Sequence, residues 1–259
     1  MNSSELKEIA EGLIKTTELA GNRSIELQKN GLKIITKPDN TPVSNGDLEV
    51  NKILTEKIKQ LTPNIPIVSE ETVDLKKKNI FSTYWLIDPI DGTKEYIAGK
   101  DDYTLNSGLI INKTPAIGII GVPKKNRLFY SYGKNNSFMI ENNQTIKLNC
   151  KKKTPNKEVV ALTNGIKPAE DILNKLKEFG MTSFKKLSSS YKYCVIAAGE
   201  FDIYADKARA REWDDAAGQA IAEHAGAIVT TLDGELFEYG KEDYRNPTIL
   251  IRRSENLNA

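Results

Sequence analysis

The sequence predicts an α/β fold joined to an α+β part. Three observations carry this expectation. Two stretches of helical periodicity open the chain. Residues 103–148 then break into five short apolar runs separated by turn clusters, the signature of an antiparallel meander. From residue 158 onward, strand-like and helix-like stretches alternate, which argues for a largely parallel sheet. The change of pattern places a boundary near Asn149, giving an N-terminal α+β half over residues 1–149 and a C-terminal α/β half over 150–259.

In chain order, Leu6, Ile9, Ala10, Leu13, Ile14 and Thr17 recur at helical spacing from Ser4 to about Asn30. Ser3 or Ser4 suits the start and Gly31 the end. Leu32–Thr36 reads as a short strand, followed by a turn over Lys37–Pro42. A second helix runs from Asp47 to Leu61, with Val50, Leu54, Ile58 and Leu61 on its buried face. Ile65–Val68 is a strand that ends on Glu70 and Glu71. Tyr84–Ile87 is a bulkier one, expected to stop at Asp88 because Pro89 has no N–H for a ladder. Gly92-Thr93 opens a short helical turn.

The meander comprises Leu105–Ile111, Ala116–Gly121, Arg127–Tyr132, Ser137–Glu141 and Thr145–Leu148, with turns at Asn112–Pro115 and Asn142-Asn143. The C-terminal half reads strand Glu158–Leu162, helix Pro168–Phe179, strand Ser183–Leu187 and helix Ser190–Ala198. Strand Phe201–Ala205, helix Asp214–Ala225 and strands Ile228–Leu232 and Thr248–Ile251 complete it.

Composition narrows the chemistry. With 259 residues, 39% apolar and 28% charged, the chain has the make-up of a soluble globular protein large enough for a sizeable core. Its 37 basic and 35 acidic residues leave +2, so no global field points to nucleic acid. The clusters Lys76–Lys78 and Lys151–Lys153 read as solvated loops, the second at the expected boundary. The polar N-terminus lacks an apolar leader segment, and no stretch is long enough to span a bilayer, so a cytoplasmic protein is expected. Cys150 and Cys194 read as two reduced thiols. The single histidine, His224, excludes a His-rich zinc or iron site. It falls ~15 Å along the Asp214 helix, ahead of Gly226, where a role bonding terminal carbonyls is expected rather than catalysis.

Four acidic positions share a setting: Asp47, Glu70, the Asp88/Asp91 pair and Asp214 each fall where a strand ends or a helix begins. Single acids there are commonly caps. Two carboxylates flanking a proline after a bulky apolar strand are harder to explain so, because like charges at short range repel without a cation. Glu70, Asp88, Asp91 and Asp214, with a carbonyl from the intervening turn, form an oxygen set suited to Mg²⁺, Mn²⁺ or Ca²⁺. Metal-assisted phosphoester hydrolysis fits such a set: the cation polarises a phosphate, acidifies a water and stabilises the leaving oxygen. The Gly92 and Thr93 amides, and the start of the Asp214 helix, suit phosphate oxygens.

These segments resemble a known family. Trp85-Leu-Ile-Asp-Pro-Ile-Asp-Gly-Thr-Lys-Glu-Tyr96 is similar to the first signature of the inositol-monophosphatase superfamily of lithium-sensitive, Mg²⁺-dependent phosphatases. The segment from Trp213 to Ala227 resembles its second, and Val68-Ser-Glu-Glu71 its preceding acidic pair. The resemblance implies a layered αβαβα sandwich of the inositol-monophosphatase/sugar-phosphatase type, with the site between the halves. It implies two or three Mg²⁺ ions, with Mn²⁺ left open, on Glu70, Asp88, Asp91, Asp214 and the Ile90 carbonyl. Asp47, Glu70 and Thr93 form the implied catalytic set, Thr93 orienting the attacking water, and Glu71 stands behind them. Glu70, Ile90, Asp91, Gly92, Thr93 and Asp214 would also touch substrate.

Within the superfamily the likeness is to the CysQ-type 3′(2′),5′-bisphosphate nucleotidases. The Lys94-Glu95 pair, Glu212–Gly218 and Ser188-Ser-Ser-Tyr-Lys-Tyr-Cys194 carry it, the last implying Ser189 and Lys192 as nucleotide contacts. The expected reaction is removal of the 3′-phosphate of adenosine 3′,5′-bisphosphate, with its sulfated relative as a further substrate. A solvated Lys192 is the competing reading. One position departs from the branch: Asp206 stands where an arginine is usual, with Lys207, Arg209 and Arg211 as substitutes. Inositol monophosphate or a sugar phosphate therefore stays open as substrate, as does a non-catalytic regulatory or RNA-associated role. The expected partner is a small phosphorylated nucleotide and not nucleic acid. Members of the family are often homodimers, and some CysQ-type proteins attach loosely to the inner membrane; both stay open for this chain.

Overall fold

In the computed structural model, which describes residues 1–37, 41–77, 81–152 and 158–257, the N-terminal periodicity becomes α1 (Ser3–Asn30). Asn2 caps it, rather than Ser3 or Ser4. The Asn2 side chain accepts from the Glu5 N–H at 3.0 Å and Glu5 accepts from the Asn2 N–H at 2.7 Å, a reciprocal pair. β1 (Ile34–Thr36) and β2 (Pro42–Ser44) pair antiparallel. Residues 38–40 of the expected turn between them, and Lys78 and Lys153 of the two lysine clusters, lie outside the described residues. α2 (Asn45–Leu61) follows, capped by Ser44, with Val50, Leu54 and Ile58 buried.

A seven-stranded sheet comes next: β3 (Ile67–Ser69), β4 (Thr83–Asp91), then after α3 (Thr93–Ile97), β5 (Thr104–Ile111), β6 (Thr114–Val122), β7 (Arg127–Ser131), β8 (Ser137–Glu141) and β9 (Gln144–Lys147). The strands lie side by side in chain order, β3 parallel to β4 and the rest antiparallel. Asn112-Lys113 and Asn142-Asn143 turn the hairpins with φ of 48°, 65°, 52° and 61°, the left-handed pairs that two-residue turns require. The first turn is shorter than expected, since Thr114 and Pro115 already belong to β6, at a register irregularity.

β4 also corrects an expectation. The strand does not stop at Asp88; it continues to Asp91. Asp88 faces Asn106 and Asp91 faces Thr104, so Pro89 and Ile90 together oppose Leu105 alone. That extra residue is a bulge, the one place inside a sheet where a missing N–H is tolerated. The bulge sets both carboxylates at the same strand end.

The second sheet holds β10 (Val159–Thr163), β11 (Met181–Lys186), β12 (Ile203–Asp206), β13 (Ile228–Thr231) and β14 (Ile249–Arg252), in the order β11-β10-β12-β14-β13. It is mixed rather than largely parallel. β10 runs parallel to β11 and β12, whereas β14 is antiparallel to β12 and β13. No helix lies between β13 and β14, and without a crossover helix the chain returns antiparallel.

Helices fill the layers. Trp85 and Ile87 face α1 and α2, while Leu86 between them faces the other way, the alternation of a strand covered on both sides. On that second face lie α5 (Tyr191–Ala197) and α6 (Glu212–His224), sandwiched against Leu162, Tyr204, Val229 and Ile251 of the second sheet. α4 (Glu170–Glu178) covers the far face with Ile172 and Leu176. The stacking is the expected αβαβα sandwich. Cys150 and Cys194 are buried free thiols. No helix among the described residues is long and apolar enough to cross a membrane.

Candidate active site

Four elements deliver five acids to one place. Glu70 follows β3, its N–H bonded to the Ile87 carbonyl at 3.0 Å. Asp88 and Asp91 flank the β4 bulge, and Asp214 lies in the first turn of α6. Glu70, Asp88 and Asp214 each offer an oxygen within 4.8 Å of the others. Asp47, buried in the first turn of α2, completes its cap. Its Oδ2 accepts from the Ser44 N–H at 2.8 Å and the Ser44 hydroxyl at 2.6 Å. Its Oδ1 faces the Thr93 hydroxyl at 3.1 Å, and that hydroxyl is 3.0 Å from the Ile90 carbonyl oxygen.

α3 can begin beside these acids because Gly92 takes φ 93°, a conformation costly for other residues. A Cβ there would also meet the Asp102 carbonyl at 3.1 Å.

Among the described residues the chain compensates these charges only at Glu70. Burial pushes the Asp88 carboxyl well above the usual range, and the charges of Glu70, Asp91, Asp214 and Asp47 add to it. Asp214 is raised by burial and then by Asp91. Burial raises Glu70 to about 7, against the opposing pull of Lys37. Among the described residues Lys37 is the one cation paired with any of the five acids, at 3.5 Å from Glu70 and 2.9 Å from Glu71. Asp88 Oδ1 is buried without a hydrogen-bond partner. Such an orphan in a pool of carboxylates, with no histidine or cysteine in the cluster, fits a hard divalent cation.

The sequence leaves Lys192 either to substrate or to solvent, and the structure overturns the solvated option. Lys192 is 7% exposed. Its Nζ donates to the Ser189 carbonyl at 2.8 Å and stands 5.0 Å from the Tyr204 ring centroid. Ser189 adopts φ 57°. Neither side chain bonds to the carboxylates; their neighbour Ser190 does, through Asp91 Oδ2. Three consecutive serines ahead of a helix signal a cap without saying which one turns inward.

Lys37 has no local signal, since its partner Glu70 lies 33 residues on, beyond β2, α2 and β3. Glu212, which opens the Glu212–Gly218 segment, is fully buried and accepts from Tyr84 at 3.1 Å and Lys241 Nζ at 3.1 Å.

Asp206 is tied down by the Asn164 amide and by Arg209 Nε at 2.8 Å. Lys207 pairs with Asp171 at 2.9 Å, and Arg211 bonds the Asp243 carbonyl. His224 does not bond the terminal carbonyls of its helix with its ring. Its Nδ1 accepts from the Gly133 N–H at 3.1 Å, and burial lowers its pKa to about 4.

Comparison with known proteins follows the same line. The sequence profile of the inositol monophosphatase family matches residues 3–259. The chain is 30% identical over 218 residues to the 3′(2′),5′-bisphosphate nucleotidase CysQ of Escherichia coli, covering 83% of this chain and 87% of that protein. Its identity to the Buchnera aphidicola protein of the same name is 34% over 212 residues, with 80% and 78% covered. Among solved structures, CysQ from Bacteroides thetaiotaomicron superposes with a TM-score of 0.75 at 23% identity, covering 98% of each chain. An IMPase/NADP phosphatase complexed with Mg²⁺ and phosphate superposes with a TM-score of 0.78 at 18% identity, covering 96% of this chain and 92% of that one.

Proposed function

We propose that this chain, which belongs to the inositol monophosphatase family, removes the 3′-phosphate of adenosine 3′,5′-bisphosphate with the help of Mg²⁺. The observation that carries the reaction is the Glu70–Asp88–Asp214 cluster beside the Asp47–Thr93 contact. The bisphosphate nucleotidases related at 30% and 34% identity support the substrate, with the sulfated relative of the bisphosphate as a further one.

Glu70, Asp88, Asp91, Asp214 and the Ile90 carbonyl would hold two or three cations, which supply Lewis acidity toward the phosphate and the water that attacks it. The chain's own groups do the rest. Of the two acceptors beside the Thr93 hydroxyl, the Asp47 carboxylate is the stronger. The hydroxyl therefore donates to Asp47, and its oxygen accepts a proton of the attacking water. As the water oxygen bonds to phosphorus, that proton passes to Thr93 and the Thr93 proton to Asp47. The bond from phosphorus to the ribose 3′-oxygen breaks, and this oxygen takes a proton from solvent, leaving AMP and phosphate. The Gly92 and Thr93 amides orient phosphate oxygens. Lys192 meets the second phosphate, a task that requires a cation.

Asp206 favours a second reading. An acid at that position suits a sugar hydroxyl better than a phosphate, which points to inositol monophosphate. Phosphate release from the two substrates, measured on purified protein with Mg²⁺, separates them. The bisphosphate is expected to win in kcat/KM by about tenfold or more, the equivalent of one good polar contact. A preference for inositol monophosphate overturns the proposed substrate.

A further inference from the structure

Two acids of the candidate cation site, on β4 and α6, meet at one hydroxyl. Ser190, 1% exposed, precedes α5. Its N–H donates to Asp91 Oδ2, and its Oγ lies 2.7 Å from that same oxygen. The Oγ also touches the main-chain carbonyl of Asp214. From β5, the Asn106 amide donates to the Oγ at 3.0 Å. The carbonyl of Ser190 meanwhile accepts from the Tyr193 N–H at 3.1 Å, starting the α5 turn. One side chain thus joins the end of β4, the middle of the sheet, α5 and the first turn of α6.

Asp91 Oδ2 accepts from the Ser190 N–H, and the single Ser190 hydroxyl proton is shared between that oxygen and the Asp214 carbonyl, so Asp91 Oδ1 is the oxygen left for a ligand. Asp214 follows the same rule: its Oδ2 accepts from the Arg211 N–H at 2.7 Å, so the chain fixes one carboxylate oxygen and presents the other. Asn106 faces Asp88 across the β4–β5 ladder, and both keep a buried oxygen without a partner. Ser190 therefore stands between an oriented strand pair and the helix that carries Asp214.

We infer that Ser190, oriented by Asn106, is a positioning residue for the cation site: it sets Asp91 and Asp214 at a fixed separation and selects the Asp91 oxygen that faces a cation. The inference rests on the proposed reading of the acids as cation ligands. Its energetic basis is preorganisation. Without the hydroxyl, the Asp214 carbonyl and the Asn106 amide lose their shared partner, and the two carboxylates must be ordered by the cation itself. Groups that orient ligands in this way typically change metal affinity by about 10–100-fold.

The test is Mg²⁺ titration calorimetry on chelator-treated, desalted full-length protein, together with melting curves without metal. Ser190→Ala keeps the backbone N–H and removes the hydroxyl alone. It is expected to weaken Mg²⁺ binding by about tenfold or more with little change in the metal-free melting temperature. Ser190→Thr, which keeps the hydroxyl, is expected to restore most of the affinity. Asn106→Ala is expected to weaken binding in the same direction by a smaller factor. Wild-type affinity in Ser190→Ala overturns the inference while leaving the cation site standing. Should Ser190→Ala not fold, wild-type affinity in Asn106→Ala overturns it instead. A wild-type protein that takes up no Mg²⁺ overturns the reading of the acids themselves, and the inference with it.

Discussion

Asp88→Asn is expected to lower phosphatase turnover on the order of a thousandfold, the equivalent of about 4 kcal/mol, while the metal-free protein stays at least as heat-stable as the wild type. The two halves of this result have one cause. Asp88 is 2% exposed, lies opposite Asn106 in the sheet and keeps one oxygen unpaired. Burial and four neighbouring acids hold its folded pKa far above the unfolded value. The sign follows from linkage. A carboxyl whose folded pKa is raised costs stability as pH climbs from the unfolded pKa toward the folded one. Asparagine has the same shape and no charge, so the metal-free protein sheds that cost at neutral pH. The same lost charge would remove a central ligand from the proposed cation site. Phosphate release and a melting curve in chelator read the two effects separately. Unchanged turnover would place Asp88 outside the chemistry. A melting temperature that falls along with turnover would make its role structural.

Gly118→Ala is expected to cost about 3 kcal/mol, at the upper end for forced overpacking, a fall of roughly 6–12 °C in Tm. Here the layers of the sandwich touch backbone to backbone. A Cβ on Gly118 of β6 would sit 2.2 Å from the Ala217 carbonyl oxygen and 2.9 Å from the Ala220 Cβ of α6. Next to it on β5, a Cβ on Gly108 would meet Ala216 Cβ at 2.8 Å. The first obstacle is main-chain carbonyl, which no rotamer change can clear. α6 would have to lift off the sheet, and Asp214 in its first turn would move with it. Thermal melts of the purified variant provide the check. A loss below about 1 kcal/mol, the scale of a tolerated volume change, would mean that the helix yields easily.

What could be read in advance was local and periodic. Acids at element ends, the apolar strand before Asp88 and the turn at Gly92-Thr93 stand out because each obeys a short-range rule. The helices and most strands follow from hydrophobic period alone. What escaped depends on partners far along the chain. Pro89 ends a strand by local logic, yet pairing with β5 absorbs it in a bulge. Ser190 could not be told from Ser188 and Ser189, because what distinguishes it is Asp91, 99 residues away. Local position points the ring of His224 at its own helix end, whereas its partner comes from the turn before β8. β14 enters antiparallel because nothing helical precedes it, a fact of connection rather than of strand composition. Two serines after Asn2 compete with it as caps on residue type alone. Only its exchange with Glu5 fixes the phase of α1.

Removal of divalent cations tests the site most directly. Full-length protein, stripped by chelator and desalted, is expected to release no phosphate from adenosine 3′,5′-bisphosphate above the uncatalysed level, and added Mg²⁺ is expected to restore turnover. Undiminished phosphate release in excess chelator would contradict a cation-dependent site built on Glu70, Asp88, Asp91 and Asp214.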